Sequence, residues 1–284
     1  MLYLLLAIVC ASTYSVLFKL FACRDIDSLQ AITFNYITAA ILGFSMSLGS
    51  MTDGFVLGGG ELGLSAVMGV MFMAAFVLMA RSTASSGVSV TTVAARVSLI
   101  IPVVCSYLFL AGEAEPRWWA IAIILIALVM VIVQPSGRNG SRGTHTSLWL
   151  PFGVFVLFGA NNFCLKWAQS GLDAQGGAEQ LSAVIFLFAA IASCLYYFAT
   201  THKRSWSWRA LLGGVALGVS NFFTTYFMVL GLGVMPSGVF FPIYHVGIVA
   251  LVTTLGVLLF KERISRLQFV GMVVAAVGIV AFFV

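Results

Sequence analysis

The chain has 284 residues, of which 61% are hydrophobic and only 8% are charged, with a formal net charge of +5. Soluble domains carry about a quarter charged residues, so this composition excludes an ordinary soluble protein and indicates an integral membrane protein. The basic residues stand singly or in small groups between apolar segments. This spacing excludes the continuous basic surface of a nucleic-acid-binding protein.

Ten apolar segments of helical length follow one another along the chain. They are continuous rather than alternating, so they predict an all-α protein with ten transmembrane helices in a lipid bilayer, not a β-barrel. The first segment lacks a basic start and a cleavage site and is expected to be a retained helix rather than a signal peptide. The predicted helices are 2–22, 29–49, 63–80, 87–110, 117–134, 148–170, 181–200, 209–231, 236–260 and 267–284.

A long polar stretch, QPSGRNGSRGTHTS at 134–147, separates the ten segments into two groups of five. The sequence therefore predicts a first five-helix repeat at 1–135, a polar linker at 136–147 and a second five-helix repeat at 148–284. An odd number of spans in each repeat makes the two repeats cross the membrane in opposite directions. This inverted plan is typical of secondary transporters.

A shift of the chain by 149 residues tests the repeat. It places Glu113 on Glu262 and Arg117 on Arg266. Charged residues are scarce here, so these coincidences are more informative than matches between apolar residues. They favour two related halves.

The distribution of basic residues predicts the orientation. The loops after the even-numbered helices contain Arg117 alone, whereas the loops after the odd-numbered helices contain ten basic residues. Positive charge accumulates in cytoplasmic loops, so the odd loops are expected in the cytoplasm and both termini outside. The ten residues are Arg24, Arg81, Arg138, Arg142, Lys203, Arg204, Arg209, Lys261, Arg263 and Arg266.

Two stretches, IIPVVCSYLFLAGE at 100–113 and ALVTTLGVLLFKERISRLQFVGMVVAAVGIVAFF at 250–283, resemble the drug/metabolite transporter superfamily, EamA type. In that family the fourth and ninth helices end in an apolar stretch closed by a Glu, and a glycine-rich last helix follows. The resemblance covers the whole chain. It implies a carrier of small metabolites or drugs, commonly an exporter, with a central cavity. The expected location is the inner or plasma membrane of a bacterium.

Two features depart from better-known branches of that superfamily. Relatives that exchange protons for cationic drugs use an acid in the first helix, where this chain has Lys19. Nucleotide-sugar relatives carry Phe-Tyr-Asn-Asn and Gly-Ala-Leu-Asn-Lys motifs, which FGANNFCLK at 158–166 matches only in part. An exchanger of nucleotide sugars or phosphorylated metabolites and a multidrug exporter therefore stay as alternatives to a metabolite exporter.

An intramembrane enzyme is the alternative from a different class. It would need paired acids or His/Asp clusters at depth, and the sequence offers none. A phosphate-binding loop, a metal-ligand cluster and a cofactor motif are likewise absent from the sequence, so no cofactor is expected and ATP hydrolysis by this chain is excluded. Transport is then facilitative, exchange-driven or ion-coupled.

Arg96 is the first candidate for substrate binding. It lies about 13–14 Å into a helix beginning near residue 87, close to the membrane midplane, where an arginine costs about 2.5–3.5 kcal/mol. Thr92, Ser89 and Ser85 precede it on the same predicted face. This stripe favours a hydrated cavity; the alternative is a structural arginine bound to backbone carbonyls.

His245 occupies the place that the 149-residue shift assigns to Arg96, with Tyr244 beside it. All nine acids fall in loops or at helix ends, so His245 is the one deep group that titrates near neutral pH. It is the candidate for proton coupling and a second substrate-binding candidate. The alternative is a hydrogen-bonded core histidine.

Lys19 and Lys166 are related by a slightly different shift of 147 residues. Asn162 and Lys166 share a helical face, and the two lysines are expected to recruit substrate at opposite mouths of the carrier. The alternative is that each lysine extends to the membrane surface. Asn221 is a further candidate, with hydrogen bonding between helices as its alternative.

Four residues are expected to act structurally. Pro102 and Pro242 are expected to interrupt the fourth and ninth helices. Glu113 and Glu262 are expected to cap helix ends and to pair with nearby basic residues.

Overall fold

The computed structural model describes most of the chain, and within that part the backbone is helical with short turns and contains no strand. The all-α prediction is confirmed there. The linker at 136–147 and Glu262 lie outside the described residues. Those residues are 1–24, 26–50, 57–86, 88–132, 149–172, 177–200, 207–260 and 265–280.

The helices match the ten predicted segments, except that the fourth is divided into two. Their ends differ from the predicted ends by up to six residues, most at the C-terminus of the third. They are α1 (Leu2–Cys23), α2 (Ser28–Ser50), α3 (Gly59–Ser86), α4 (Val88–Val97), α5 (Ile100–Phe109), α6 (Trp118–Ile132), α7 (Trp149–Ser170), α8 (Ala178–Thr200), α9 (Trp208–Val234), α10 (Ser237–Phe260) and α11 (Arg266–Val280).

Pro102 accounts for the break between α4 and α5. Proline has no backbone N–H, and its ring clashes with the carbonyl four residues earlier, which here belongs to Ser98. That carbonyl instead accepts a hydrogen bond from the N–H of Ile101 at 3.0 Å, which forms a tighter turn. Pro242 lies inside α10, which continues without a break. Only the first of the two expected interruptions therefore divides a helix.

Two compact units divide the chain. Unit 1 comprises Met1–Met73 and Trp167–Val234, and unit 2 comprises Ala74–Lys166 and Met235–Val284. Each unit therefore combines helices from both predicted repeats, and the boundary at the linker does not separate two compact bodies. The helices α3 and α7 each contribute residues to both units.

In unit 1, the second helices of the two predicted repeats, α2 and α8, pack against each other in opposite directions. Near the start of α2, Gln30 donates a hydrogen bond from its side-chain amide to the Tyr197 hydroxyl at 3.0 Å. Further along α2, Gly43 approaches Ala183 so closely that a Cβ on residue 43 would lie 2.6 Å from the Ala183 Cα. Residue numbers rise along one helix as they fall along the other, so the pair is antiparallel.

In unit 2, the fifth helices of the two predicted repeats, α6 and α11, make a second antiparallel pair. Gly271 lies against Val131, and Gly278 lies against Ile124. A Cβ would come within 2.8 Å of the facing side chain at either glycine. Small residues let two helix backbones approach closely, which supplies the packing that holds apolar helices together.

Unit 1 also contains two glycines that lie close to the backbone of a neighbouring helix, at positions that the 149-residue shift relates. A Cβ on Gly218 in α9 would lie 2.6 Å from the backbone oxygen of Asn35 in α2. A Cβ on Gly69 in α3 would lie 2.7 Å from the backbone oxygen of Ile185 in α8. Gly69 and Gly218 are superposed by the shift, so the same kind of glycine contact occurs at matching positions of the two halves.

Candidate functional site

Arg96 lies at the end of α4, directly before the turn that Pro102 causes. Its carbonyl accepts a hydrogen bond from the N–H of Leu99 at 3.3 Å, and its side chain is half-buried. In the part of the chain that the structure describes, the guanidinium has neither a carboxylate partner nor a hydrogen bond to a backbone carbonyl. The structural alternative, an arginine held by backbone carbonyls, finds no support among these residues.

His245 lies inside α10 and is 3% exposed. Neither of its ring nitrogens has a hydrogen-bond partner among the described residues, and its ring meets that of Tyr244 edge to face at 5.3 Å. Arg96 and His245, the two residues that the 149-residue shift superposes, both belong to unit 2.

The polar stripe predicted before Arg96 is shorter than the sequence suggests. Thr92 is half-buried on α4, one turn before Arg96. The side chain of Ser89 lies outside the described part of the chain. Ser85 belongs to the end of α3 rather than to α4, because α3 extends to Ser86. The expected continuation of the stripe through Ser85 along one helix is therefore wrong.

Lys166 in α7 is engaged in a buried ion pair. Its Nζ lies 3.0 Å from Oε1 of Glu113, and the two side chains are only 11% and 7% exposed. The Glu113 carboxylate also accepts hydrogen bonds from Ser237, the first residue of α10. The Ser237 backbone N–H reaches Oε2 at 2.8 Å, and the Ser237 hydroxyl reaches Oε1 at 3.3 Å.

This arrangement confirms that Glu113 caps a helix and pairs with a basic residue. It also gives Lys166 a partner inside the protein, so recruitment of a substrate by Lys166 would require that partner to change. The backbone of Lys19 lies in α1, but its side chain is outside the described part of the chain.

Two asparagines in α7 differ in their surroundings. Asn162, the predicted candidate, is half-buried. Its neighbour Asn161 is 5% exposed, and its Oδ1 has no hydrogen-bond partner among the described residues. The Oγ of Ser106 in α5 is also buried without a partner. Neither residue was predicted from the sequence. Asn161 lies on a different face of α7 from Lys166, and Ser106 is a single serine in an apolar helix.

Asn221 connects two helices of unit 1. Its side-chain amide donates a hydrogen bond to Oδ1 of Asn35 at 3.2 Å, and both residues are buried. This contact agrees with the interhelical alternative for Asn221. Arg96, Thr92, Asn162, Lys166, Tyr244 and His245 all belong to unit 2, whereas Asn221 belongs to unit 1.

Unit 2 also contains an apolar cavity of about 110 Å³ among α6, α10 and α11. Its lining residues are apolar, among them Leu128, Val246 and Met272, so it is separate in character from the polar residues above. Among the described residues, no cluster of three His, Cys, Asp or Glu side chains has the arrangement of a metal site.

Comparison with known proteins gives a fold but no activity. No protein-family model matches the sequence. An uncharacterized protein of Haemophilus influenzae is 26% identical over 279 residues, which cover 95% of this chain and 93% of that protein. A protein of known crystal structure aligns with 99% of this chain and 95% of its own, with a TM-score of 0.79 and 14% sequence identity. That structure shares the fold.

Proposed function

We propose that the chain is a secondary transporter that moves small anionic or zwitterionic metabolites, such as amino acids, across the inner or plasma membrane of a bacterium by alternating access, in the direction of export. The observation that carries this proposal is the pair Arg96 and His245 in unit 2. Both are polar, both belong to apolar helices, and neither side chain has a hydrogen-bond partner among the described residues.

Helix length and the position of tryptophans support a multi-pass membrane protein. In the part of the chain that the structure describes, six helical segments are long and apolar enough to cross a bilayer, one of them formed by α4 and α5 together. Exposed tryptophans stand at helix ends, at the start of α6, α7 and α9 and near the end of α7. Tryptophan prefers the interface between lipid and water, so these positions suit helices that end at a membrane surface. They are Trp118, Trp119, Trp149, Trp208 and Trp167.

Helix directions support an inverted repeat of five plus five helices. In such a repeat, each helix of the first half runs opposite to its equivalent in the second half. The two packed pairs of equivalent helices, α2 with α8 and α6 with α11, are antiparallel, as the repeat requires. The resemblance to EamA-type drug/metabolite transporters agrees with this plan.

The chemistry of Arg96 supports an anionic group on the substrate. A guanidinium offers a rigid fork of donors that matches a carboxylate or a phosphate. A charge withdrawn from water without a partner is costly, and Arg96 is half-buried, so a substrate anion bound there would reduce that cost. The imidazole of His245, in the same unit, offers one donor and one acceptor in its neutral form and can also carry a proton.

A phosphorylated metabolite is the second candidate substrate, because a guanidinium also matches phosphate. Arg96 is the one arginine or lysine among the described residues of α4, α5 and α10. A single fixed positive charge is better balanced by a carboxylate than by a doubly charged phosphate, which favours the carboxylate.

Uptake into sealed proteoliposomes tests the proposal. The purified protein would first be screened against a metabolite library by thermal shift, because a ligand that binds the folded state raises the melting temperature. Compounds that stabilise the protein would then be offered in radiolabelled form. Accumulation of an unaltered anionic or zwitterionic compound is the expected result. Conversion of the compound without transport would instead indicate an enzyme.

A further inference from the structure

Glu113 holds the ends of three helical segments together in unit 2. It lies four residues after the end of α5, where it accepts hydrogen bonds from Ser237 at the start of α10 and forms an ion pair with Lys166 in α7. The two partner residues differ in how easily they can be replaced. This difference carries an inference that rests on the proposed function.

The two bonds from Ser237 would stay intact if Lys166 left. The backbone N–H groups in the first turn of a helix have no partner within the helix, and that end of the helix favours negative charge. The Glu113 carboxylate would therefore remain stabilised by the Ser237 N–H at 2.8 Å and by the Ser237 hydroxyl at 3.3 Å.

Lys166 carries the opposite charge. Its side chain is 11% exposed, so the ammonium group needs an anion close by. It lies four residues before the end of α7, about 6 Å along the helix from that end. An arriving carboxylate can supply the anion that Lys166 needs if it takes the place of the Glu113 carboxylate.

We propose that Lys166 is a second binding site for the carboxylate of the transported compound, used during entry or release, and that the substrate carboxylate and Glu113 compete for its ammonium group. The step exchanges one ion pair for another and transfers no proton. Glu113 remains bound to the first residue of α10 throughout. This arrangement reconciles the buried ion pair with a recruiting role for Lys166.

Two variants test the competition because they shift carboxylate affinity in opposite directions. In Glu113→Gln, the amide oxygen can still accept the Ser237 N–H, but the competing charge is gone, so carboxylates should bind about tenfold more tightly. In Lys166→Met, the site itself is gone, and carboxylates should bind about tenfold more weakly. Affinity would be measured on purified protein in an Arg96→Gln background, where the Lys166 site is left without the Arg96 site. The ligands would be acetate, lactate, succinate and alanine, with lactamide as an uncharged counterpart.

Glu115→Gln is the matched control, because it removes the same charge from an exposed residue two positions further on. Its affinities should equal those of the unaltered protein, and lactamide affinity should be the same in all variants. Glu113→Gln removes the carboxylate that pairs with Lys166 and can lower stability. The double variant Glu113→Gln/Lys166→Met avoids that problem and should bind carboxylates as weakly as Lys166→Met does.

The two levels of the hypothesis fail in different ways. Absence of carboxylate binding to the unaltered protein would overturn the proposed substrate class and this inference with it. Carboxylate binding that depends on Arg96 but is the same in Glu113→Gln, Lys166→Met and Glu115→Gln would overturn the competition alone. Lower melting temperatures with unchanged affinities would identify the ion pair as purely structural.

Discussion

Arg96 in α4 and His245 in α10 both belong to unit 2, although 149 residues separate them in the sequence. Each lies in the interior of its own predicted helix, and the shift that aligns the two halves superposes them. Each predicted half therefore contributes one of these two residues to unit 2. In the proposed carrier, both halves would supply a polar residue to substrate binding.

Arg96 is predicted to bind the anionic part of the substrate. Arg96→Lys keeps the charge but loses the forked geometry, so affinity should fall by the value of one charge-assisted hydrogen bond, about 1.5–3 kcal/mol, or roughly 10- to 150-fold. Arg96→Gln should weaken the binding of anions further and leave the affinity for an uncharged analogue unchanged. Binding and melting temperature should be measured on the same preparations.

Arg81→Gln provides the control for that experiment, because Arg81 is an exposed arginine in the C-terminal part of α3. It removes the same charge and should leave affinity unchanged. Normal affinity in a stable Arg96→Gln protein would contradict the recognition role. Loss of expression and stability in both Arg96 variants, without a selective effect on anions, would indicate a structural arginine.

His245 is predicted to carry the proton if transport is proton-coupled. Glutamine keeps a donor and an acceptor in roughly the same volume but does not titrate near neutral pH. His245→Gln should therefore flatten the pH dependence of uptake while the protein keeps its melting temperature. Uptake would be followed from pH 5 to pH 8 in proteoliposomes. A pH profile identical to that of the unaltered protein would remove His245 from the coupling mechanism.

The helices were predictable from sequence because an apolar chain must satisfy its backbone groups internally. The break before α5 was predictable as well, since Pro102 removes a donor at a fixed position. The ends were less predictable: α3 continues six residues beyond its predicted end and takes Ser85 away from the face of Arg96. Apolar character alone does not say where a helix stops.

The partners of the candidate residues were harder to predict. Lys166, Glu113 and Ser237 come from three segments separated by 53 and 71 residues, and their contact depends on packing within unit 2. The sequence predicted that Glu113 would cap a helix and pair with a base, but it did not say which helix or which base. For Asn221, hydrogen bonding between helices was one of the alternatives, but its partner, Asn35, was not predicted for the same reason.

The orientation can be tested by labelling single cysteines in intact cells. The basic residues predict that the 134–147 linker is cytoplasmic and that the loop after α5 is external. A membrane-impermeant thiol reagent should therefore label Ala114→Cys, an exposed position in that loop, and leave Ser141→Cys unlabelled. The native cysteines would first be replaced by alanine. The reverse pattern would place both termini inside the cell.

Replacing either of the two glycines that the repeat relates by alanine, which adds one carbon, is predicted to lower the stability of the protein. In Gly218→Ala, the new Cβ would lie 2.6 Å from the Asn35 backbone oxygen, and in Gly69→Ala it would lie 2.7 Å from the Ile185 backbone oxygen. Backbone atoms in a packed helix cannot move away cheaply, so each variant should lose about 1–3 kcal/mol of stability. Melting temperature in detergent or lipid would measure the loss.

Gly63→Ala is the matched control, because Gly63 also lies in a helix but a Cβ there meets nothing within 4 Å. Alanine has the higher helix propensity, so this variant should be neutral or more stable by up to about 1 kcal/mol. Equal changes in melting temperature in all three variants would mean that the helices do not approach as closely as the glycines allow. Destabilisation confined to Gly69→Ala and Gly218→Ala would instead show that both halves of the chain need a glycine at the same position for their helices to pack. That outcome would support their descent from one repeated five-helix unit, because two unrelated halves have no reason to place a required glycine at the same point.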